Sequence, residues 1–313
     1  MTTGAKKREY DADSERPSQK RSLHSITGGV EEDMIEEDMI MDDALDQQQE
    51  FVEDVLGEAG RNWIRPPPKP IDPVADSIVF QQLELDYTSG APSKGYYPAG
   101  EQQQLEEVPI VRMYGVTKEG NSVCVFVHGF EPYFYVEAPT PTFSPDDCTN
   151  LAETLNVALA GRDKSKNSKS VLKVEIVQKQ TILYYQPQKS RPFLKVSVAL
   201  PNLVASSKTV IEQGLSLPWL GCSLHGPTYE SNIPYALRYM IDASIVGGCW
   251  VELPAKSYTL VSTESSKASH CQVEAHVGYD SVISHPCEGE WSQLAPFRIL
   301  SVDIECQGRK VRV

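Results

Sequence analysis

The sequence has no cysteine pair at CxxC spacing, no glycine-rich phosphate loop and no Ser–His–Asp pattern. No apolar run approaches the ~20 residues needed to span a bilayer, so no membrane partner is expected. The N-terminus lacks a secretory core, because its basic start runs straight into polar residues. The seven cysteines, at 124, 148, 222, 249, 271, 287 and 306, form an odd and dispersed set. That argues against a disulfide framework and for a reducing compartment. Cys306 has no evident His–Asp arrangement, which excludes it as an obvious catalytic thiol.

Basic charge is also scarce, with a net charge of −14 over 313 residues. Residues 31–58 contain thirteen acids and no Lys or Arg; removing those thirteen from −14 leaves −1 for everything else. The acidity is therefore local, and net charge neither supports nor excludes a nucleic-acid partner. Residues 1–75 lack the apolar periodicity that offsets the entropy of ordering a backbone, and a disordered tail is expected there. Lys6, Lys7 and Arg8, then Lys20 and Arg21, flank an eleven-residue polar spacer that fits a two-part nuclear import signal and equally a solvated tail. The repeat Glu31-Glu32-Asp33-Met34-Ile35, Glu36-Glu37-Asp38-Met39-Ile40 suits a solubilising segment, or a helix formed against a partner. The proline run at 66–70 stiffens the approach to the folded part.

Folded character is expected over 76–292. Strands are read at 77–87, 110–116, 122–128 and 133–136, with a turn at Lys118-Glu119-Gly120-Asn121. A helix over 146–160, capped by Ser144 or Asp146, precedes strands at 171–185 and 193–200 and a helix from an Asn202 cap to Gly214. Strand, helix, strand, strand, helix is most of a ferredoxin-like unit, placed at 131–225 and embedded between β segments. Residues 229–241 read as a helix with Asn232 as cap, Pro234 in its first turn and an inward stripe of Ile233, Ala236, Leu237, Met240 and Ile241. Strands at 249–253, 271–277 and 297–304 complete an α+β chain whose outer part resembles an interrupted barrel.

Three groups of residues can carry chemistry. In the last strand, Asp303 and Glu305 lie two apart and share a face of an otherwise apolar, buried segment. Two adjacent carboxylates resist burial unless a divalent cation joins them, so the pair is a candidate for two-metal phosphodiester chemistry; the plain alternative is a strand end reaching water. The basic loop at 162–173, together with Lys179, Lys189, Arg191 and Lys195 and the intervening Tyr184 and Tyr185, can track a phosphate backbone while the rings stack on bases. A solvated loop with a half-buried hairpin accounts for the same residues. His270, Cys271, His276, His285 and Cys287 are spaced too irregularly for a zinc site.

Several blocks together resemble the family B DNA polymerases. They are Tyr114-Gly115-Val116-Thr117-Lys118-Glu119-Gly120-Asn121-Ser122-Val123-Cys124, then Val127-His128-Gly129-Phe130-Glu131-Pro132-Tyr133-Phe134-Tyr135. Tyr229-Glu230-Ser231-Asn232-Ile233-Pro234 follows, and last Ala295-Pro296-Phe297-Arg298-Ile299-Leu300-Ser301-Val302-Asp303-Ile304-Glu305-Cys306 with Gly308-Arg309-Lys310. The resemblance implies an N-terminal polymerase domain, an OB-like β-barrel interrupted by a ferredoxin-like or RNA-recognition-like insertion. Residues 293–313 are then the first strand of an RNase H-like 3′→5′ proofreading exonuclease. Asp303 and Glu305 are implied as catalytic metal ligands for two Mg²⁺ ions. The implied partners are primer–template and single-stranded DNA, other polymerase subunits and a sliding clamp, in the nucleus. The later exonuclease motifs and the polymerase palm are not in the sequence. The 313-residue chain, read as a fragment, is expected to have neither activity and to hold no metal tightly. The alternative is a non-enzymatic module that binds nucleic acid or a partner protein.

Overall fold

The computed structural model describes residues 63–97, 105–165, 167–181 and 190–304. The expected disordered tail, the import signal at Lys6, Lys7, Arg8, Lys20 and Arg21, and the acidic repeat lie outside the described residues. The chain divides into two units, 1–64 and 65–313, and every described strand and helix belongs to the second.

Long strands rich in β-branched and aromatic residues open the unit. They are β1 (Ile78–Gly90), β2 (Val108–Thr117), β3 (Ser122–His128) and β4 (Tyr133–Glu137). The β2–β3 turn closes through Gly120, whose φ of +96° is a conformation that glycine alone adopts without strain. Helix α1 (Pro145–Leu159) starts at Ser144, where the Asp147 amide donates to Ser144 Oγ and the Ser144 amide donates back to the Asp147 carboxylate. Cys148, Leu151, Leu155 and Leu159 recur at helical spacing and are buried as one stripe. Strands β5 (Val171–Lys179) and β6 (Arg191–Val198) lead to α2 (Asn202–Gln213). After them come β7 (Leu215–Leu217), β8 (Cys222–Leu224), β9 (Thr228–Tyr229), α3 (Tyr235–Asp242), β10 (Trp250–Leu253), β11 (Tyr258–Leu260), β12 (Val273–Gly278) and β13 (Ile283–His285).

The strands form a seven-stranded sheet ordered β11-β12-β3-β2-β1-β10-β13, a four-stranded sheet ordered β5-β6-β4-β9, and the small β7–β8 pair. Among the described residues every pairing is antiparallel except β12 with β3, which is parallel. The four-stranded sheet separates two cores by simple alternation. Phe134, Val136, Leu194 and Val196 face α1 and α2, while Tyr133, Tyr135 and Phe193 face α3 and the seven-stranded sheet.

Three local expectations are corrected. Asn202 is the first helical residue of α2 and makes no cap; Pro201 holds the N-cap position without a side-chain hydrogen bond. The helix expected over 229–241 forms only from Tyr235, because Pro234 keeps an extended ψ of 140° and takes the N-cap position in place of Asn232. That helix is also rotated from the expected stripe. Tyr235, Arg238 and Tyr239 are buried, while Leu237 and Ile241 are 47% and 52% exposed. Two aromatic rings bury more area than the aliphatic stripe offers, and Arg238 finds acceptors inside.

The largest correction concerns residues 297–304. No strand forms there among the described residues, and Ile299, Leu300, Val302 and Ile304 are 69–81% exposed. A strand needs a neighbour for its amides and carbonyls, and none of the three sheets pairs with this segment.

Candidate nucleic-acid face and terminal carboxylates

Register places two rows of side chains across the face of the four-stranded sheet that points away from α1 and α2. Lys173, Ser197 and Tyr133 form one row, and Glu175, Lys195 and Tyr135 the next. The Lys195 ammonium sits 4.1 Å from the centre of the Tyr133 ring, and that of Lys179 5.1 Å from the Tyr135 ring. Rings and ammonium groups at these distances attract through the ring quadrupole. Lys179 and Arg191 are paired in register at the open end of the β5–β6 hairpin, where Arg191 Nη1 lies 3.0 Å from Glu137. Lys179, Arg191 and Lys195 thus share one hairpin, while Tyr184, Tyr185 and Lys189 lie outside the described residues. The aromatic partners found for these cations are Tyr133 and Tyr135. Their signal was present in the Tyr-Phe-Tyr alternation, which puts two phenols on one face.

Arg238 of α3 braces this face from below. Its Nη1 donates to Tyr133 Oη at 3.1 Å and to Asp242 Oδ1 at 3.4 Å, and its Nη2 donates to the Glu230 carboxylate. Tyr133 in turn donates to Asp242 Oδ2 at 2.6 Å. Burial, with the bond to Asp242 added, pushes the Tyr133 phenol well up, so it remains a donor. For Arg238, desolvation works against the charge, but Tyr133, Glu230 and Asp242 together hold its pKa above the ordinary value. A second basic region, Arg162, Lys164 and Lys169, lies on the loop after α1. That loop is pinned where Ser170 Oγ donates to Asp163 at 2.6 Å.

The terminal segment is anchored and then released. Ala295 is buried and its amide donates to Gln81 Oε1 at 2.7 Å, while Trp250 Nε1 donates to Gln293 O at 2.8 Å. Beyond Arg298 the side chains turn to solvent, and Asp303 is exposed. Glu305, its expected companion, and Cys306 lie outside the described residues. Among the described residues no group of three metal-ligating side chains exists. One solvent-facing carboxylate does not fit a two-metal centre, which needs several converging oxygens. The residues doubted for zinc are engaged separately. His276 Nδ1 lies 2.8 Å from His128 Nε2, and His285 stacks on Trp291 at 3.8 Å with its Nε2 3.0 Å from Glu252. Cys287 is exposed and Cys271 is half-buried.

Comparison with known proteins gives two family matches on this scaffold. Residues 129–205 match the DNA polymerase delta catalytic subunit-like N-terminal domain, and residues 226–313 match the DNA polymerase family B exonuclease domain. Over these two stretches the chain is similar to the family B DNA polymerases. Within that family its similarity is to the DNA polymerase delta catalytic subunit. It is 45% identical to the Arabidopsis thaliana protein over 291 residues, which is 90% of this chain and 26% of that protein. With the Bos taurus protein the identity is 43% over 252 residues, 79% of this chain and 22% of that one. With the Drosophila melanogaster protein it is 41% over 256 residues, 79% and 23% respectively. The chain therefore spans about a quarter of the length of the curated relatives it matches. A family B DNA polymerase structure from the archaeon Pyrobaculum calidifontis aligns with a TM-score of 0.39 at 23% identity, covering 67% of this chain and 21% of that one.

Proposed function

We propose that this chain supplies the N-terminal part of a replicative, proofreading DNA polymerase and guides single-stranded template past the exposed basic end of the β5–β6 hairpin, at Lys179 and Arg191. The observation that carries the reading is the 45% identity over 291 residues to a DNA polymerase delta catalytic subunit. The four-stranded sheet order and its two helices support a ferredoxin-like unit. The curled seven-stranded sheet is read as the OB-like part that it interrupts. Primer–template DNA, further polymerase subunits and a sliding clamp are the partners this reading names, and the nucleus is the location.

Catalysis is assigned to a completed carboxylate set, with Asp303 and Glu305 as one contribution and Mg²⁺ as its cation. A two-metal centre needs more converging carboxylates than this pair, so the reading for the chain by itself is binding without cutting. The exposure of Asp303 favours that second, non-enzymatic role for the isolated polypeptide. The test is single-strand binding by the full chain as salt is varied. Charge reversal at Lys189 and Arg191 is expected to weaken binding and flatten its salt dependence, because each lost phosphate contact releases one counterion fewer. Unchanged binding would remove the template role. Mg²⁺-dependent degradation of single strands that Asp303→Ala abolishes would overturn the binding-only reading of this chain.

A further inference from the structure

A sheet edge offers amides and carbonyls to any strand that can lie beside it, and natural edges are commonly short for that reason. The other edges of the two larger sheets, β9, β11 and β13, are two or three residues long. β5 is nine residues long, and among the described residues only β6 pairs with it. Which of its groups face outward follows from the alternation of an antiparallel ladder. On β6 the Val198 amide donates to Pro132 O, and just before it Pro192 O accepts from the Ala138 amide, so the even-numbered residues turn toward β4. The odd-numbered Phe193, Lys195 and Ser197 therefore bond to their register partners Val177, Glu175 and Lys173. That leaves the amides and carbonyls of Val174 and Ile176 directed away from the sheet.

The side chains along this edge complement themselves. Val174 stands at the centre, between Lys173 and Glu175, and these stand between Leu172 and Ile176. Laid antiparallel on a second copy, with Val174 opposite Val174, the strand sets each Lys173 opposite a Glu175 and each Leu172 opposite an Ile176. Lysines on a protected edge repel a second copy; here the opposed charges attract. Lys173 and Glu175 are half-exposed and 3.8 Å apart within one strand, and Lys173 also lies 3.2 Å from Glu131, so the crossing pairs extend an ion network instead of burying a lone charge. On the opposite face Leu172, Val174 and Ile176 turn toward α1. A groove of about 400 Å³ lies there between α1 and β5, bordered by Cys148, Ala152 and Asn156, with room for the matching apolar side chains of an added strand.

We propose that β5 pairs with β5 of a second copy of this chain about a two-fold axis through Val174, joining two four-stranded sheets into one of eight. Every contact is then made twice, as an isologous interface requires. The bulge between Val171 and Lys173 ends the regular ladder on one side, which keeps the interface small and the dissociation constant at about 10 µM. The pairing does not depend on the polymerase reading.

Sedimentation velocity of the full chain from about 1 to about 100 µM should show a monomer–dimer equilibrium. Lys173→Glu and Glu175→Lys each set like charges opposite one another, and each should weaken self-association by about tenfold or more. Mixed in equal amounts, the two variants again oppose unlike charges and should form a heterodimer of near wild-type affinity. Mixing does not restore a lost fold, so that recovery separates the interface from misfolding. In the wild-type chain, hydrogen exchange at the Val174 and Ile176 amides should slow as concentration rises, a readout that needs no variant. A chain that stays monomeric at every concentration leaves this edge to some other partner and overturns the proposal. So do single variants that still dimerise as the wild type does, or exchange at those two amides that ignores concentration.

Discussion

His128 and His276, on the parallel strands β3 and β12, stack at 5.1 Å with their facing nitrogens 2.8 Å apart. Tyr96 covers His128 on its other side, and Phe126 covers His276. One proton can be shared across that short contact, and a second has nowhere to go. Burial, reinforced by the neighbouring imidazole, holds the His128 pKa down at about 4, and burial also lowers that of His276 although Glu274 works the other way. A depressed native pKa means that the unfolded chain binds protons first. Stability is therefore full above about pH 6.5 and falls as pH drops toward 4, by up to about 3 kcal/mol from His128 alone. Urea midpoints measured from pH 7 to pH 4 check this, and His128→Asn should flatten the profile.

Arg238 is 8% exposed at its side chain and holds Tyr133, Asp242 and Glu230 together. Replacing it with Met keeps the stem but leaves a buried phenol and two carboxylates short of a donor. A loss of about 2–3 kcal/mol is expected in denaturant unfolding, the partial exposure of both carboxylates keeping it from being larger. Arg238→Lys should recover only part of it, because a single ammonium cannot meet acceptors on three sides.

The rotation of α3 has a direct mutational signature. Tyr239→Ala should cost about 3–5 kcal/mol, since it empties a fully buried aromatic position. Leu237→Ala, two residues away and 47% exposed, should cost under about 1 kcal/mol. Equal effects in thermal unfolding would mean that the aliphatic stripe is buried after all.

Gly115 lies in β2, where an added Cβ would stand 2.4 Å from the Gln81 carbonyl oxygen and 2.3 Å from Phe80 Cδ2. The Phe80 ring can swing; the carbonyl belongs to the neighbouring strand and cannot. Gly115→Ala should destabilise by about 3 kcal/mol and lower the melting temperature accordingly.

Strands and the first helix were readable because their signals are local. The β3 strand runs over Ser122–His128 as its alternation and flanking turn require, and the Ser144 capping box fixes the start of α1. The errors arose where a distant partner decides the outcome. Asp303 sits in a sequence with every mark of a buried strand, yet apolar side chains cannot bury themselves without a facing layer. Leu237 and Ile241 have ideal helical spacing, but spacing does not say which face a neighbouring core prefers. In the candidate site, the lysines at 179 and 195 were visible as charges. Their seats on Tyr135 and Tyr133 depended on the β4–β6 register, which no local pattern reports.

The parallel pairing of β12 with β3 has a consequence for how the molecule is made. Val123 waits for Val273, and Phe80 for Val251, so the edges of β3 and β1 stay open while the intervening chain is synthesised. The four-stranded unit lies wholly within that interval and closes on its own neighbours. It can therefore assemble first and bring the late strands back to the early ones, shortening an otherwise long and slow loop closure. A lesion in α1 or β6 would then show itself as aggregation through the unpaired edge of β3 before any loss of contacts within the finished seven-stranded sheet.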